Sequence, residues 1–456
     1  MYKMDFENIL NKQKEFYLTH KTKDADYRID QLKTFRKVIQ QNQDKLFDAI
    51  QQDFGKSKFE TFVTDISFVL NDLNYYIKRV KKLAKPRNVS TNIVNLPGSS
   101  KIYYEPLGNV LVIGAWNYPY QLSLSPTIAA IAAGNTCIIK PSEVAEHTAK
   151  AMADLINNHF DPQLLCVVQG GIEETTELLN LKFDKIFFTG STRVGKIVYE
   201  AAAKNLTPVT LELGGKSPAI VTKNTSFETA AKRIVWGKYI NAGQTCVAPD
   251  YILVDQSVKQ KFLEYLRQYI KNFNYSPDSE QYTRIINRKN FDRLQKLIDP
   301  EKVFYGGNSD AEKLFIEPTV LQNITWDDDV MKEEIFGPLL PVISYQYYRE
   351  ALLEVLNREK PLAAYLFSNN ADEQSLFTEQ LSFGGGCIND VLMHLGNPHL
   401  PFGGVGNSGM GNYHGKFGFE TFSHKKAVMK RAMWGEPDLK YPPYNEKKMN
   451  WIKKLM

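Results

Sequence analysis

The feature that most restricts the fold of this chain is residues 107–139, a run that contains no charged residue. The run is longer than the roughly 20 residues that a membrane-spanning helix requires. Polar residues and prolines interrupt it at Asn117, Pro119, Gln121, Pro126 and Asn135. Because lipid cannot satisfy the backbone and amide groups at those positions, we interpret the run as a buried strand, a tight loop, a helix and a second buried strand.

The alternation of short apolar segments and helical stretches continues to residue 213. Five segments have the length and composition of buried strands, namely residues 110–114, 136–140, 164–169, 185–189 and 209–213. Strands of this type, separated by helices, predict a parallel sheet that is covered on both faces. Amphipathic helices are predicted before residue 85, and a second α/β unit from residue 214 to about residue 411.

Charge and cysteine content narrow the class of protein further. The chain carries 56 basic and 51 acidic side chains, for a net charge of +5, so a solvated surface is favoured over a nucleic-acid partner. The N-terminal segment lacks the apolar core of a secretory signal, which predicts a cytoplasmic protein. Cys137, Cys166, Cys246 and Cys387 form no C-x-x-C pair, and no histidine pair has metal-ligand spacing. We therefore expect neither disulfides nor a metal site.

Cys246 lies in the run N-A-G-Q-T-C-V-A-P, with Gly243 before it and Pro249 after it. Small and polar neighbours of this kind suit a nucleophilic thiol, which needs a partly exposed site with backbone N–H groups nearby. Free cysteine is also among the residues most often buried for packing. The local sequence alone leaves both interpretations open.

Two other motifs would serve a reactive thiol. Glu212 lies between Leu211 and Leu213, and this apolar setting raises the pKa of a carboxyl toward neutrality, which makes a usable general base. The alternative is a salt-bridge partner at the end of a strand. The segment F-T-G-S-T-R-V-G, which ends at Gly195, is typical of a strand, a glycine turn and a helix start. Such turns present N–H groups to phosphate.

These three motifs, in this order, resemble those of the NAD(P)-dependent aldehyde dehydrogenases. The resemblance covers nearly the whole chain and includes K-P-S-E at 140–143, E-E-I-F-G-P at 333–338 and L-P-F-G-G-V-G-N-S-G-M-G at 400–411. Residues 413–424, Y-H-G-K-F-G-F-E-T-F-S-H, are most similar to the class 3 and fatty aldehyde dehydrogenase branch. The family also shares the absence of a G-x-G-x-x-G turn after the first strand.

The resemblance implies an aldehyde dehydrogenase-like α/β fold. Residues 1–86 and 106–213 would form a Rossmann-type NAD(P)-binding domain, and residues 214–411 a second α/β catalytic domain. Residues 87–105 have the alternation of an exposed hairpin around Leu96 to Ser100, and with residues 420–432 they would form a small oligomerisation element. A tail at 433–456 follows. Because this hairpin belongs to the subunit interface in similar proteins, a homodimer is expected.

The resemblance also assigns catalytic roles. Cys246 would attack the aldehyde carbonyl, and the Asn117 amide and the Cys246 backbone N–H would stabilise the oxyanion. Hydride transfer to the nicotinamide would leave a thioester, which water activated by Glu212 would hydrolyse. The local sequence is equally compatible with Asn117 acting as a cap of the following turn.

Cofactor contacts are implied at Trp116, Lys140, Glu143, Gly190, Ser191, Gly195, Leu213, Glu334 and Phe336. Lys140 and Glu143 would contact the adenosine ribose, where a carboxylate favours NAD, with NADP also accepted. Glu334 would bind the nicotinamide ribose and Phe336 would make apolar contact at that end, although Phe336 taken alone is typical of a core residue. Cys387 is interpreted as a residue of the substrate entrance.

The substrate expected from the branch is an apolar aldehyde of medium or long chain, or an aromatic one. One alternative keeps the fold but transfers the acyl group to coenzyme A or phosphate, which would not need Glu212. Another is a cysteine hydrolase without redox chemistry, which would need a histidine beside Cys246. The end of the tail mixes lysines with Trp451 and Ile452, as a membrane-surface helix does, but we expect a frayed terminus.

Overall fold

The structure is a computed structural model that describes residues 5–277 and 279–455. Residues 1–4, 278 and 456, which belong to the predicted ranges 1–86, 214–411 and 433–456, lie outside the described part. The helices are α1 Phe6–Leu18, α2 Ala25–Gln41, α3 Gln43–Phe54, α4 Lys58–Thr61, α5 Ser67–Leu83, α6 Pro119–Ala133, α7 Glu146–Asn157, α8 Ile172–Asn180, α9 Thr192–Ala203, α10 Phe227–Tyr239, α11 Lys259–Phe273, α12 Arg288–Gln295, α13 Asp329–Lys332, α14 Tyr348–Leu356, α15 Ala371–Gln380, α16 Gly415–Thr421 and α17 Glu446–Leu455.

The strands alternate with these helices over most of the chain. They are β1 Arg87–Val89, β2 Gly98–Pro106, β3 Asn109–Ile113, β4 Thr136–Lys140, β5 Leu165–Val167, β6 Lys185–Thr189, β7 Val209–Glu212, β8 Pro218–Val221, β9 Tyr251–Asp255, β10 Val303–Tyr305, β11 Ser309–Asp310, β12 Phe315–Ile316, β13 Thr319–Leu321, β14 Leu339–Tyr345, β15 Ala363–Phe367, β16 Gly385–Ile388, β17 Gly409–Met410 and β18 Ser423–Arg431.

The N-terminal helices form because their apolar side chains recur with helical spacing. On α2, for example, Leu32, Phe35 and Ile39 lie on one face and are fully buried. Helix α2 packs on α5, and α5 packs on α6. The predicted helical region before residue 85 is therefore confirmed.

The first large sheet has six strands in the order β17-β7-β6-β3-β4-β5. Strands β3 to β7 are parallel, as predicted, because they are almost entirely buried and a helix connects each of β3 to β6 to the next strand in the sequence. Strand β17 adds an antiparallel edge, with Gly409 opposite Glu212. Strand β5 is shorter than predicted and ends at Val167. The uncharged run forms β3, α6 and β4, which confirms its interpretation as buried strand, helix and strand.

The second large sheet has seven strands in the order β10-β13-β14-β9-β8-β15-β16. All its pairs are parallel except the one between β10 and β13. This confirms the predicted second α/β unit. Helix α10, which was predicted at residues 227–239, leads from β8 toward Cys246.

The third sheet is small, antiparallel and exposed, with the order β1-β2-β18. Strand β18 pairs with the whole of β2, from Ser423 opposite Pro106 to Arg431 opposite Gly98. The hairpin is formed as predicted, but its turn is not at residues 96–100. Gly98 to Ser100 belong to β2, because β18 provides a partner for the strand up to Gly98, and the chain reverses before Gly98.

Every residue of α6 is buried, which places this helix inside the molecule. In the described part of the chain, no helix is both long enough and apolar enough to cross a membrane. The tail is not frayed as expected, since residues 446–455 form α17. Lysines alternate there with apolar side chains at helical spacing, and Trp451 remains half exposed.

Candidate active site

Cys246 follows a tight turn that begins where α10 ends. Asn241 and Ala242 have φ values of 53° and 51°, a left-handed conformation that is uncommon for residues other than glycine. Gly243 has a φ of 72°, and a Cβ atom there would lie 2.3 Å from the Gly337 carbonyl oxygen. The turn thus brings residues 241–246, the cysteine loop, against the E-E-I-F-G-P segment. Glycine is needed at position 243 because the loop comes closest to the Gly337 carbonyl oxygen there.

A cavity of about 260 Å³ opens at Cys246. Its wall is mostly apolar and also contains Glu212, Leu213, Tyr118, Thr245 and His414. The apolar part of the wall includes Val63, Phe68, Leu122, Trp236, Ile240, Val247, Leu362, Leu392, Met393, Leu395 and Phe402. Cys246 is partly buried there, whereas Cys137 and Cys166 are fully buried packing residues, as predicted.

Glu212 ends β7 and is 2% exposed. Neither of its carboxyl oxygens has a hydrogen-bond partner among the described residues. Burial raises the pKa of Glu212 well above its usual value. The alternative role as a salt-bridge partner is not supported by any ion pair in the described structure. A buried carboxyl with free oxygens beside a cavity has the properties of a general base.

Asn117 lies directly behind the cysteine loop. Its side-chain Nδ2 donates to the Gln244 carbonyl oxygen at 3.0 Å. Helix α6 begins at Pro119 without a side-chain cap, so Asn117 does not act as the cap of that helix. Because an amide nitrogen carries two hydrogens, one N–H of Asn117 remains beyond the contact with Gln244.

The surroundings of Cys246 disfavour its thiolate form. Burial, followed by the charges of Glu334 and Glu212, raises its pKa to about 12. The backbone N–H groups of Cys246 and Val247 act in the opposite direction. These N–H groups therefore face the sulfur, where an oxyanion donor is expected.

The cofactor residues predicted at the end of β4 form a pair. Lys140 is buried, and its Nζ donates to the Pro141 carbonyl oxygen at 2.8 Å and lies 3.3 Å from Glu143 Oε2. Glu143 is about half exposed, with a side-chain accessibility of 49%. The ammonium is thus held in place while the carboxylate can reach a ligand at the carboxyl edge of the sheet.

The glycine turn after β6 lies beside Glu212. The Gly190 N–H donates to the Glu212 carbonyl oxygen at 3.0 Å, and Ser191 caps α9. A Cβ atom on Gly195 would lie 2.6 Å from Leu213 Cδ2. Gly195 therefore allows the first turn of α9 to approach Leu213, at the wall of the cavity.

Glu334 and Phe336 belong to the E-E-I-F-G-P segment that Gly243 approaches. Burial raises the pKa of Glu334 to about 8, and Asp250 adds to the effect. A Cβ atom on Gly214 would lie 1.9 Å from Glu334 Oε2. The Phe336 and Trp116 rings meet edge to face, with centroids 5.4 Å apart. Phe336 has a φ of 48°, which is rare for a bulky residue and is characteristic of functional sites.

Two histidines lie near the cavity, but neither forms a hydrogen bond with Cys246 in the described structure. His414 lines the cavity and stacks on Phe402 at 5.1 Å, and burial lowers its pKa to about 4. His394 Nδ1 lies 3.5 Å from the Cys387 sulfur. Cys387 itself is not part of the cavity wall, whereas Leu392, Met393 and Leu395, which follow it in the sequence, are.

One group of residues at the site belongs to none of the motifs found in the sequence. The Tyr118 hydroxyl lies 2.5 Å from Thr245 Oγ1, and the Asn241 side chain donates to the carbonyl oxygens of Asn117 and Gln244 at 3.0 and 3.1 Å. Buried Lys56 donates to the Asn117 carbonyl oxygen at 3.2 Å. Tyr118 and Thr245 could have been found from the sequence, because they are the neighbours of Asn117 and Cys246.

The two α/β units and the cavity with a cysteine and a buried carboxyl define a class of enzyme, the dehydrogenases that combine a dinucleotide with a nucleophilic cysteine. The model of the aldehyde dehydrogenase family matches residues 2–428. The chain belongs to that family, and it is an NAD(P)-dependent enzyme that oxidises aldehydes to acids.

Similar proteins match over nearly their whole length. The 4,4'-diaponeurosporen-aldehyde dehydrogenase of Staphylococcus aureus is 47% identical over 441 residues, 95% of each chain. The dimeric NADP-preferring aldehyde dehydrogenase of Rattus norvegicus is 45% identical over 439 residues, 95% of this chain and 97% of that one. A substrate-bound Staphylococcus aureus AldH has a TM-score of 0.97 at 45% identity, covering 99% of both chains. These matches confirm the predicted fold, class 3 branch, activity and NAD(P) as the type of cofactor.

Proposed function

We propose that this enzyme hydrolytically oxidises apolar aldehydes, with Cys246 as nucleophile, Glu212 as general base and Asn117 as oxyanion donor. The proposal rests on the observation that Cys246 and Glu212 line the same cavity. There, both oxygens of the buried carboxyl lack a partner within the described residues. A carboxyl left free in this way is suited to take a proton from a water molecule.

The residues present fit a dinucleotide. The cap of α9 at Ser191 leaves N–H groups of the first turn for phosphate, and Lys140 with Glu143 supplies a ribose site. Glu334 and Phe336, opposite Trp116, would hold the nicotinamide end. When bound, NAD(P) supplies the acceptor for the hydride that leaves the substrate carbon. Glu143 favours the free 2′-hydroxyl of NAD, and parallel titrations with NAD and NADP test this preference.

The protein groups carry the remaining steps. The Cys246 thiol releases its proton to solvent, and the sulfur forms a bond to the carbonyl carbon, while the carbonyl electron pair moves to oxygen. The Cys246 N–H and the Asn117 amide stabilise this oxyanion. After hydride loss, the carbon is a thioester. Glu212 takes a proton from water as the water oxygen attacks, and the C–S bond breaks to release the acid and the Cys246 thiolate.

The cavity supports an apolar substrate. Its wall is lined by aliphatic and aromatic side chains, and its charged group is Glu212. One relative is named for 4,4'-diaponeurosporen-aldehyde. An aldehyde series from propanal to dodecanal, with benzaldehyde, should show kcat/KM rising with apolar surface. A preference for short or charged aldehydes would contradict the proposed substrate class.

Acyl transfer to coenzyme A is the alternative outcome of the same chemistry. Glu212 argues for water, because a thiol acceptor needs no water-activating base. Product analysis with coenzyme A present separates the two: free acid supports hydrolysis, and acyl-coenzyme A as the main product overturns it. Cys246→Ala should abolish product in both cases and retain NAD binding.

We also propose the domain division given by the sequence, with residues 1–86 and 106–213 binding NAD(P), 214–411 carrying Cys246, and 87–105 with 420–432 joining two subunits in a cytoplasmic homodimer. Exposed antiparallel strands β1 and β18 support this association, because unpaired strand edges favour pairing. Light scattering after gel filtration should give the mass of a dimer. A monomer mass at micromolar concentration would contradict it.

A further inference from the structure

Lys56 is a buried cation in the turn between α3 and α4. Its side chain has no exposed surface, and Gly55 before it, with a φ of 67°, ends α3. Burying an ammonium group is costly unless its neighbours compensate. An apolar side chain of equal volume would fill the same space, so packing alone does not account for a lysine here.

The Lys56 ammonium contacts the start of the segment that forms one wall of the active site. Its Nζ donates to the Asn117 carbonyl oxygen at 3.2 Å and lies 4.3 Å from the centroid of the Tyr118 ring. It also lies 3.9 Å from Asp65 Oδ2 and 4.8 Å from the Phe54 ring centroid. One cation thus holds two consecutive residues, one by a hydrogen bond and the other by a cation–π contact.

The same two residues are bonded to the cysteine loop on their other side. Asn117 donates to the Gln244 carbonyl oxygen at 3.0 Å, and Tyr118 meets Thr245 at 2.5 Å. Lys56 makes no hydrogen bond or ion pair with Cys246 in the described structure. Its direct contacts toward the cysteine loop are therefore those with residues 117–118.

The carboxylates near Lys56 hold the adjoining backbone. Asp65 Oδ1 accepts the Gln121 N–H at 2.7 Å, in the first turn of α6. Glu60 Oε1 accepts the Asn241 N–H at 2.8 Å, where the chain takes its left-handed turn. Lys56 is attracted to both, and these charges favour its ammonium form against the effect of burial, which lowers its pKa.

We propose that Lys56 is a positioning residue for aldehyde oxidation: its ammonium fixes residues 117–118 against the cysteine loop, so the Asn117 amide is oriented before the aldehyde binds. The inference rests on the oxyanion role proposed for Asn117. Preorganised donors are effective because they pay no reorganisation cost during the reaction. Buried ion pairs are often replaceable by apolar residues without loss of stability, so stability alone does not require this lysine.

Lys56→Met removes the charge and retains the volume. We expect kcat to fall by about 10- to 100-fold, the cost of a donor displaced by roughly 1 Å, with the KM for NAD unchanged. Arg28→Met is the matched control. Arg28 is also a buried cation, and it donates to the carbonyl oxygens of Thr22, Lys23 and Ala132, away from the cysteine loop. This control should lower the melting temperature and leave kcat unchanged.

A double-mutant cycle with Asn117→Ala tests the route of the effect. If Lys56 acts through Asn117, the double variant is no slower than Asn117→Ala alone. Independent effects that multiply would overturn the inference. A normal kcat in Lys56→Met with a low kcat in Asn117→Ala overturns the role of Lys56 alone. A normal kcat in Asn117→Ala overturns the oxyanion role itself, and the Lys56 proposal with it.

Asp65→Asn is a second variant that tests the inference if Lys56→Met does not fold. The asparagine oxygen still accepts the Gln121 N–H, while the ammonium loses its closest charged partner. We expect a lower kcat with a native circular dichroism spectrum and an unchanged rate of Cys246 alkylation by iodoacetamide. An unchanged kcat would overturn the inference.

Discussion

Cys246 and Glu212 line one cavity, yet the carboxyl does not favour the thiolate. The pKa of the Cys246 thiol is raised to about 12 by burial first, and then by the charges of Glu334 and Glu212. A group that ionised the sulfur through its charge would be positively charged, because a nearby cation lowers the pKa of a thiol and a carboxylate raises it. The arrangement fits a carboxyl that acts later, on water, once the sulfur is acylated.

Glu212→Gln should block the hydrolysis of the thioester. Because glutamine cannot take a proton from water, we expect kcat to fall by about 100-fold or more, with one equivalent of NADH formed rapidly. Mass spectrometry of the intact protein should detect the acyl adduct. Adding Cys246→Ala to the variant should remove the adduct. Steady-state turnover at the wild-type rate would assign the base to another group.

Glu334→Gln should ease ionisation of Cys246 above about pH 8. The pKa of Glu334 is about 8, so its carboxyl is neutral at pH 6 and opposes thiolate formation at higher pH. Alkylation by iodoacetamide, which consumes thiolate, should have the same rate in both proteins at pH 6 and a higher rate in the variant at pH 9 to 10. Equal rates throughout this range would show that Glu334 does not influence the sulfur.

Val63→Trp should narrow the cavity for long aldehydes. Val63 lines the cavity and is 39% exposed, so a large ring there fills space without disrupting the core. We expect kcat/KM for decanal to fall about 10-fold more than for propanal. Phe59→Trp, at a neighbouring position that is 78% exposed and outside the wall, should leave both unchanged. An equal loss for the two aldehydes would mean that Val63 does not contact the chain.

Gly243→Ala should destabilise the cysteine loop. The alanine would combine a φ of 72° with a Cβ atom 2.3 Å from the Gly337 carbonyl oxygen, and neither backbone can yield easily. We expect a loss of about 1–3 kcal/mol in the free energy of unfolding, measured by urea denaturation. At Gly396 an added Cβ meets nothing within 4 Å, so Gly396→Ala should leave the denaturation midpoint unchanged.

The strands of the cofactor half could be predicted closely from the sequence. Strands β4 and β6 have the predicted bounds, because an uninterrupted apolar segment lies between residues that end strands. The turn of the exposed hairpin could not be placed, because β18, a distant segment, decides where β2 begins. The composition of the tail does not predict a helix, but the helical spacing of its apolar side chains does.

Some residues of the site could likewise be predicted from the sequence, and others could not. Motif residues such as Cys246, Glu212 and Glu334 were found because short patterns and a family resemblance mark them. Lys56 lies in a G-K-S segment next to charged residues, where local sequence predicts a solvated side chain. Its burial arises from the approach of Asn117 and Asp65, which belong to the segments before α6 and before α5. No local pattern records such an approach.

Strand β17 returns the chain from the second α/β unit to the first, where Gly409 pairs with Glu212 and the Ser408 carbonyl accepts the Leu213 N–H at 3.1 Å. A polypeptide truncated before residue 409 would lose β17 and would therefore leave Glu212 on an unpaired edge of the sheet, open to bulk water. Neither α/β unit can therefore be produced alone with a working active site. An active enzyme would have to be reconstituted from complementary fragments.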